Sequence, residues 1–247
     1  MSLPIQIRKT FREAWPDSLR ELAIPAGSIE LSRSEVELLG RWQPRLRTII
    51  PEAGPDSWRT AESQLRQRIQ AAIDESGSSV FPRIGYCSWK RSIKNMLPCR
   101  DANEVMATIA TPDDRIERGL LTAYQSCEPV WLHLVQWRDM QLYQEIRAFV
   151  EKRSVVGACT YHEPVDRPIE RSRAIWIRKL MTTFLNHLVS RLHLDSVVVD
   201  LVIGAEGTIE VLELNPFSEL TDAARFRWRE GFDQTIRFAN LKLDLLP

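Results

Sequence analysis

Two apolar runs near the carboxyl end of the sequence, joined by a short polar turn, constrain the fold most. The first run is Val197-Val198-Val199-Asp200-Leu201-Val202-Ile203, and the second ends in Val211-Leu212-Glu213-Leu214-Asn215-Pro216. Their β-branched residues and the intervening Glu206-Gly207 predict a hairpin whose glycine supplies a positive φ. With a two-residue loop, Asp200 lies directly opposite Glu213 and Asn215 projects from the same face. That register also puts Val198, Val202, Ile209 and Val211 on this face.

The predicted face brings two carboxylates together among apolar neighbours. Such carboxylates repel each other, and burial raises their pKa values unless a cation binds. Asp200, Glu213 and the amide oxygen of Asn215 are hard ligands of the kind that Mg²⁺ takes where it also holds phosphates. Two alternatives stay open. Both acids can lie on the solvent side of an antiparallel sheet, and a loop one residue longer breaks the pairing.

A second strand is predicted over 144–150. Ile146, Ala148 and Val150 face one side and Glu145 and Arg147 the other. An arginine on the polar face can fork onto phosphate oxygens. A surface Glu–Arg ion pair is the other interpretation.

Cations and aromatic residues also occur together in Phe81-Pro82-Arg83-Ile84-Gly85-Tyr86-Cys87-Ser88-Trp89-Lys90, a strand that runs into a loop. Arg83 and Lys90 are candidate phosphate ligands, whereas Trp89 is expected to pack in the core.

Composition excludes several classes of protein. The 247 residues carry 33 basic and 33 acidic side chains, so the net charge is zero. A general nucleic-acid binder or a protein of anionic membrane surfaces would carry excess positive charge, and no run approaches the roughly 20 apolar residues of a membrane span. Four scattered cysteines without a CxxC pair predict reduced thiols and a cytoplasmic protein. Arginine outnumbers lysine 27 to 6, which hints at a bacterial source.

Helices and strands are mixed without regular alternation, which favours an α+β fold. Residues 1–55 look irregular apart from a short helix at 34–39. Helices are predicted at 56–76, 101–110, 113–127, 168–193 and 222–238, and strands at 130–137, 144–150 and 154–160. The second and third helices begin with the capping residues Asp101 and Asp113. Two helices have apolar residues at helical spacing: Trp58, Ala61, Leu65, Ile69 and Ile73 in the first, and Trp176, Leu180, Phe184, Leu188 and Leu192 in the fourth. We expect an N-terminal lobe over 1–128 and a C-terminal lobe over 129–247.

No P-loop, GxGxxG fingerprint or GxSxG elbow occurs. Taken in order, however, the motifs resemble the cell division cycle protein 123 family of the ATP-grasp superfamily. The resemblance runs over about residues 80–230 and rests on Phe81-Pro82-Arg83, Pro112-Asp113-Asp114, Trp137, Glu145-Ile146-Arg147-Ala148-Phe149-Val150, and Asp200 with Glu213-Leu214-Asn215-Pro216-Phe217. Arg83 stands where the family has a lysine, and Cys159-Thr160-Tyr161-His162-Glu163 departs from the family's Ser-Gln-Arg-Asp-Tyr.

The resemblance implies an ATP-grasp fold, with two lobes of mainly antiparallel sheet that hold ATP between them. By analogy, Asp200, Glu213 and Asn215 hold Mg²⁺. The family's nucleotide contacts fall on Arg83, Lys90, Glu145 and Arg147, with Arg147 also neutralising a transferring phosphoryl group. The backbone of Leu132, His133 and Leu134 would face the adenine edge.

Two uses of such a site are expected. One is phosphoryl transfer that activates a carboxylate, as in ligases, or that modifies a protein acceptor. The alternative is the family's role as an ATP-binding assembly chaperone for the γ subunit of translation initiation factor 2. Both imply a protein or peptide partner. A bacterial source would open a role as an effector secreted into a host, and a decayed site would leave a scaffold.

Overall fold

The computed structural model describes residues 4–51, 54–85, 87–89, 97–140, 143–161 and 168–245. Its backbone divides into two units, each built on its own sheet and core. The first comprises Met1–Arg8 and Pro25–Arg138, and the second comprises Lys9–Ile24 and Asp139–Pro247. The predicted α+β fold with mainly antiparallel sheets is confirmed.

The helices, in chain order, are α1 (Ile5–Arg8), α2 (Asp17–Arg20), α3 (Arg33–Arg41), α4 (Pro55–Ser76), α5 (Ala102–Ile109), α6 (Asp114–Ser126) and α7 (Arg171–Arg191). The strands are β1 (Ala26–Leu31), β2 (Val80–Ile84), β3 (Cys87–Ser88), β4 (Val130–Gln136), β5 (Glu145–Glu151), β6 (Ser154–Thr160), β7 (Val197–Ile203), β8 (Ile209–Pro216), β9 (Thr235–Arg237) and β10 (Lys242–Asp244).

The first unit is an antiparallel four-stranded sheet in the order β1-β4-β2-β3, packed against helices. The predicted apolar stripe of α4 is confirmed as buried: Trp58, Ala61, Leu65, Ile69 and Ile73. The predicted helix starts are also confirmed, because the side chains of Asp101 and Asp113 accept hydrogen bonds from the first backbone N–H groups of α5 and α6.

The second unit is a six-stranded sheet in the order β10-β9-β6-β5-β7-β8, antiparallel except for the β6–β9 pair. Helix α7 covers one face and buries Ala174, Ile177, Met181, Leu185 and Leu188 against the sheet. The predicted long helix is therefore confirmed. Its predicted apolar face is only partly right, since Trp176, Leu180 and Phe184 are half-buried at the edge of this core.

Residues 217–232, here called the aromatic cap, pack on the opposite face. The rings of Phe226, Trp228 and Phe232 surround Phe149 of β5 with ring centroids 4.5–6.1 Å apart. The helix predicted over 222–238 is wrong: this segment turns repeatedly, with positive φ at Ala224, Gly231 and Gln234, before β9 begins. Gly157 makes the close packing possible, because a Cβ there would lie 2.8 Å from the Phe226 ring.

The two units differ from the predicted lobes in two places. Strand β4 pairs with β1 and β2 and so belongs to the first unit, which ends at Arg138 instead of residue 128. Residues 9–24 belong to the second unit, where Ile24 N–H donates to the carbonyl of Val211 and Val211 N–H donates to that of Leu22. Strand β1 was not predicted, because turn signals surround its six residues.

Candidate functional site

Three neighbouring strands of the second unit bring the charged candidates into one row. Arg147 of β5 pairs with Asp200 of β7, and Asp200 pairs with Glu213 of β8. Asn215 lies two residues beyond Glu213, on the same face and opposite Val198. The predicted pairing of Asp200 with Glu213 is therefore confirmed, and Arg147 completes the row.

Near the turn of the hairpin, the pairing between β7 and β8 differs from the prediction. Each residue there pairs one position earlier than predicted, so that Ile203 lies opposite Ile209 and Leu201 opposite Val211. The pairing skips Leu212, a β-bulge that restores the predicted register from Asp200 onward. The prediction that Ile209 and Val211 share the face of Asp200 is consequently wrong, because the bulge turns both toward the core beneath α7.

Short hydrogen bonds connect the four side chains. Arg147 donates from Nε to Asp200 Oδ1 and from Nη2 to Asp200 Oδ2, both at 2.7 Å. The Nδ2 group of Asn215 donates to Asp200 Oδ2 at 3.0 Å and to Glu213 Oε1 at 3.2 Å. Arg147 and Asp200 are 4% and 1% exposed, so this is a buried, bidentate ion pair. The sequence allowed a surface ion pair between Glu145 and Arg147; in the structure Arg147 pairs with Asp200 instead.

The row carries two carboxylates and one guanidinium, hence one excess negative charge. Burial raises the pKa of Asp200; Arg147 offsets this in part and Glu213 raises the pKa further. Burial by itself lowers the pKa of Arg147, but the hydrogen bonds and charge of Asp200 outweigh it and keep the guanidinium protonated. The pKa values of both partners are therefore raised: that of Asp200 chiefly because burial disfavours the carboxylate, and that of Arg147 because Asp200 outweighs its burial.

The donor types are those that Mg²⁺ takes: two carboxylates and an amide, whose mutual repulsion a dication would lower. In the structure, however, Asn215 directs its Nδ2 group and not its oxygen toward both carboxylates, and Arg147 occupies both oxygens of Asp200. In the part of the chain that the structure describes, no group of three or more His, Cys, Asp or Glu side chains has the arrangement of a metal site. Two acids and an amide are therefore a partial ligand set of the kind that Mg²⁺ completes with water and phosphate oxygens.

Arg147 makes two further contacts that the sequence did not predict. Its Nη1 donates to the backbone carbonyl of Asp222 in the aromatic cap at 2.7 Å. The ring of Tyr161 lies 4.1 Å from the guanidinium carbon. Strand alternation could have placed Tyr161 here, since Cys159 pairs with Arg147 and Tyr161 follows two residues later. The contact with Asp222 has no sequence signal because it uses a backbone atom.

Glu145 lies on the same face as Arg147, opposite Val202, and is buried. Its backbone carbonyl accepts a hydrogen bond from Tyr161 N–H at 2.9 Å. The strand pattern predicted for this segment is confirmed, because Ile146, Ala148 and Val150 face the core beneath α7.

Arg83 lies in the first unit, in a polar row across the sheet. It pairs with Ser88 on one side and with His133 on the other, and His133 pairs with Ser28. The His133 ring is fully buried, with Nδ1 2.8 Å from the Ser28 hydroxyl. Lys90 lies outside the described residues. The expected packing role of Trp89 agrees with its complete burial.

The structure argues against the role suggested for Leu132, His133 and Leu134. All three are in the middle of β4, whose backbone pairs with β1 on one side and with β2 on the other. Backbone groups already engaged in a sheet ladder are not offered to an adenine edge. This part of the predicted site is therefore corrected.

The fold and the charged row define the class of this chain: an α+β protein of two units with mainly antiparallel sheets, with an arginine–carboxylate cluster on the second sheet. The sequence pattern of the D123 family matches residues 52–243, and the chain belongs to that family.

Similar proteins support this family assignment. Translation initiation factor eIF2 assembly proteins from Xenopus tropicalis and Candida albicans are 24% and 21% identical over 179 and 193 residues, which are 66% and 71% of this chain. This chain matches 52% and 55% of their lengths, about half of each. The structure of Cdc123 from Schizosaccharomyces pombe superposes with a TM-score of 0.71 at 20% identity, covering 93% of this chain and 92% of that one. None of the described helices is long and apolar enough to cross a membrane.

Proposed function

We propose that this chain binds ATP with Mg²⁺ and uses the bound nucleotide to hold a protein partner, as an assembly factor in the cytoplasm. The observation that supports nucleotide binding is the row formed by the buried pair of Arg147 and Asp200 with the half-buried Glu213 and Asn215. Its two carboxylates and the Asn215 amide are hard donors of the kind that Mg²⁺ takes beside polyphosphate oxygens.

The relatives supply the second half of the proposal. They carry the name of assembly proteins for translation initiation factor eIF2, so we propose a partner that resembles this factor. The sequence also allows phosphoryl transfer to a carboxylate or to a protein acceptor, with Arg147 as the group that neutralises the phosphoryl charge. We place assembly ahead of this ligase-like reaction because the relatives' name describes assembly. Arg83 and Glu145 stay proposed nucleotide contacts.

Thermal unfolding tests nucleotide binding directly. A ligand at about 100 times its Kd stabilises the folded protein by about 2.7 kcal/mol, which raises Tm by about 5–10 °C for a chain of this size. We expect this rise with ATP and Mg²⁺ together, a smaller one with ATP alone, and none in an Asp200→Asn/Glu213→Gln double variant. Equal, zero shifts for both proteins at millimolar ATP would contradict the proposal.

Product analysis separates assembly from catalysis. With ATP, Mg²⁺ and a candidate partner, an assembly factor forms a nucleotide-dependent complex without stoichiometric release of ADP or AMP. Steady accumulation of ADP favours a ligase or kinase, and AMP favours nucleotidyl transfer.

A further inference from the structure

The three donor groups of Arg147 serve two different parts of the second unit. Nε and Nη2 hold the two oxygens of Asp200, and Nη1 holds the carbonyl of Asp222 in the aromatic cap. A guanidinium is planar and its nitrogens are fixed relative to one another. The two attachments therefore cannot be changed independently.

Cation binding at Asp200 conflicts with this arrangement. Asp200 Oδ2 already accepts from Arg147 Nη2 and from Asn215 Nδ2, and Oδ1 accepts from Arg147 Nε. A dication on either oxygen would lie within a few ångströms of the guanidinium, and Asp200 is 1% exposed, so little water screens the repulsion. Arg147 has to turn away from Asp200, and Nη1 then leaves the Asp222 carbonyl.

Side-chain hydrogen bonds hold the aromatic cap together and attach it to the neighbouring strands. Trp228 Nε1 donates to the carbonyl of Thr221, and Thr221 Oγ1 donates to that of Pro216, so the residue that precedes Asp222 is held both by the cap and by the end of β8. A separate tie comes from β9, where Arg237 Nη1 donates to the carbonyl of Arg225 at 3.0 Å without touching Asp200. On the outside, Leu220 is 80% exposed and Trp228 is half-exposed.

We infer that Arg147 is an exchangeable counter-ion that couples the metal–nucleotide site to the aromatic cap. Binding of Mg²⁺·ATP releases Arg147 from Asp200 and from Asp222, and the cap, with its exposed Leu220, loosens. This inference rests on the proposed function, because it requires Asp200 to coordinate the cation. It gives the protein a surface that differs between its nucleotide-bound and nucleotide-free forms.

Hydrogen exchange measured by mass spectrometry tests the coupling in the full chain, with Mg²⁺ and a non-hydrolysable ATP analogue as the probe. In the wild type we expect amides in 221–228 to exchange at least about threefold faster with the probe, while α7 stays unchanged as an internal reference. In Arg147→Lys, whose single ammonium cannot hold all three acceptors, these amides exchange fast already and change less than about twofold. Arg237→Lys is the matched control: it removes a cap tie that does not touch Asp200, so the response to the probe persists.

Binding of the probe, measured on the same samples by calorimetry, keeps the two proposals distinguishable. Binding without a change in the cap overturns the coupling and leaves nucleotide binding standing, whereas absence of binding overturns both. A second variant covers the case in which Arg147→Lys fails to fold. Trp228→Phe loosens the cap, and because coupling is reciprocal the probe should then bind at least about threefold more tightly. Damage to the fold alone would weaken binding, and such weakening would contradict the inference.

Discussion

Removing the guanidinium of Arg147 has the largest effect on folding that we expect from a single substitution in this site. Arg147→Met keeps most of the side-chain volume but leaves the Asp200 carboxylate buried without its cation and beside Glu213. Loss of one partner from a buried ion pair costs about 3–5 kcal/mol. At about 2–4 °C per kcal/mol for a chain of this size, Tm falls by about 6–20 °C.

The loss of stability in Arg147→Met should depend on pH, because the group left without its cation is a carboxylate that can take up a proton. Without Arg147 the folded-state pKa of Asp200 rises further above its value in the unfolded chain, so the folded protein binds more protons between the two values. Stability therefore increases as the pH falls through this window, and the penalty measured at pH 7.5 shrinks toward pH 5.5. Adding Asp200→Asn to Arg147→Met removes the stranded charge and recovers most of the loss at pH 7.5.

Urea unfolding at the two pH values measures these effects. Arg153→Met is the control, because Arg153 Nε donates to Asp195 Oδ1 at 2.8 Å, much as Arg147 Nε does to Asp200, but this pair is exposed to solvent. Exposed pairs contribute at most about 1 kcal/mol. A loss below about 1 kcal/mol for Arg147→Met, or a loss that is equal at both pH values, refutes the reasoning.

Three further predictions concern the frame of the site. Gly157→Ala pushes a methyl group into the Phe226 ring, so thermal unfolding should show a loss of about 1–3 kcal/mol; Phe226→Leu in the same chain should relieve it, and additive losses would contradict this contact. Asp113→Ala removes the side chain that caps α6 and should cost about 1–2 kcal/mol, against a few tenths for the exposed Asp114→Ala; equal losses would argue against the cap. Among the four thiols, Cys127 is exposed, whereas the other three are buried and burial raises the pKa of Cys159 to about 11. Mass spectrometry after alkylation at pH 8 should find Cys127 modified first, and early modification of Cys159 would contradict the burial.

Elements with strong local signals were predictable. The stripe of α4, the aspartate caps of α5 and α6, and the alternation of β5 each follow from the spacing of a few residue types, and the structure confirms them. The aromatic cap was not predictable in this way. Phe226, Trp228 and Phe232 have a spacing compatible with a helix, but their rings pack on Phe149, 77 residues earlier in the chain than Phe226. Tertiary contact overrides local propensity there.

In the candidate site too, the features set by local sequence were predictable and those set by distant parts of the chain were not. The row of Asp200 and Glu213 followed from hairpin pairing, whereas its cation did not, because β5 and β7 are neighbours only in the folded sheet. The assignment of Leu132, His133 and Leu134 failed for a related reason. Whether a strand is central or at an edge depends on partners far away in the chain, here β1 and β2.

The β-bulge at Leu212 has a consequence for anyone who edits or compares this hairpin. Relative to the pairing expected for a two-residue turn, the turn between Ile203 and Ile209 shifts β8 by one position, and the unpaired residue Leu212 shifts it back. Deleting Leu212 would leave a regular ladder in which Leu201 still lies opposite Val211 and Asp200 opposite Glu213. Glu213 would keep its face of the sheet, because Val211 and Glu213 would then be neighbours on an alternating strand. A one-residue gap at this position, in an alignment with a relative that lacks the bulge, is thus no sign that the carboxylate opposite Asp200 has been lost.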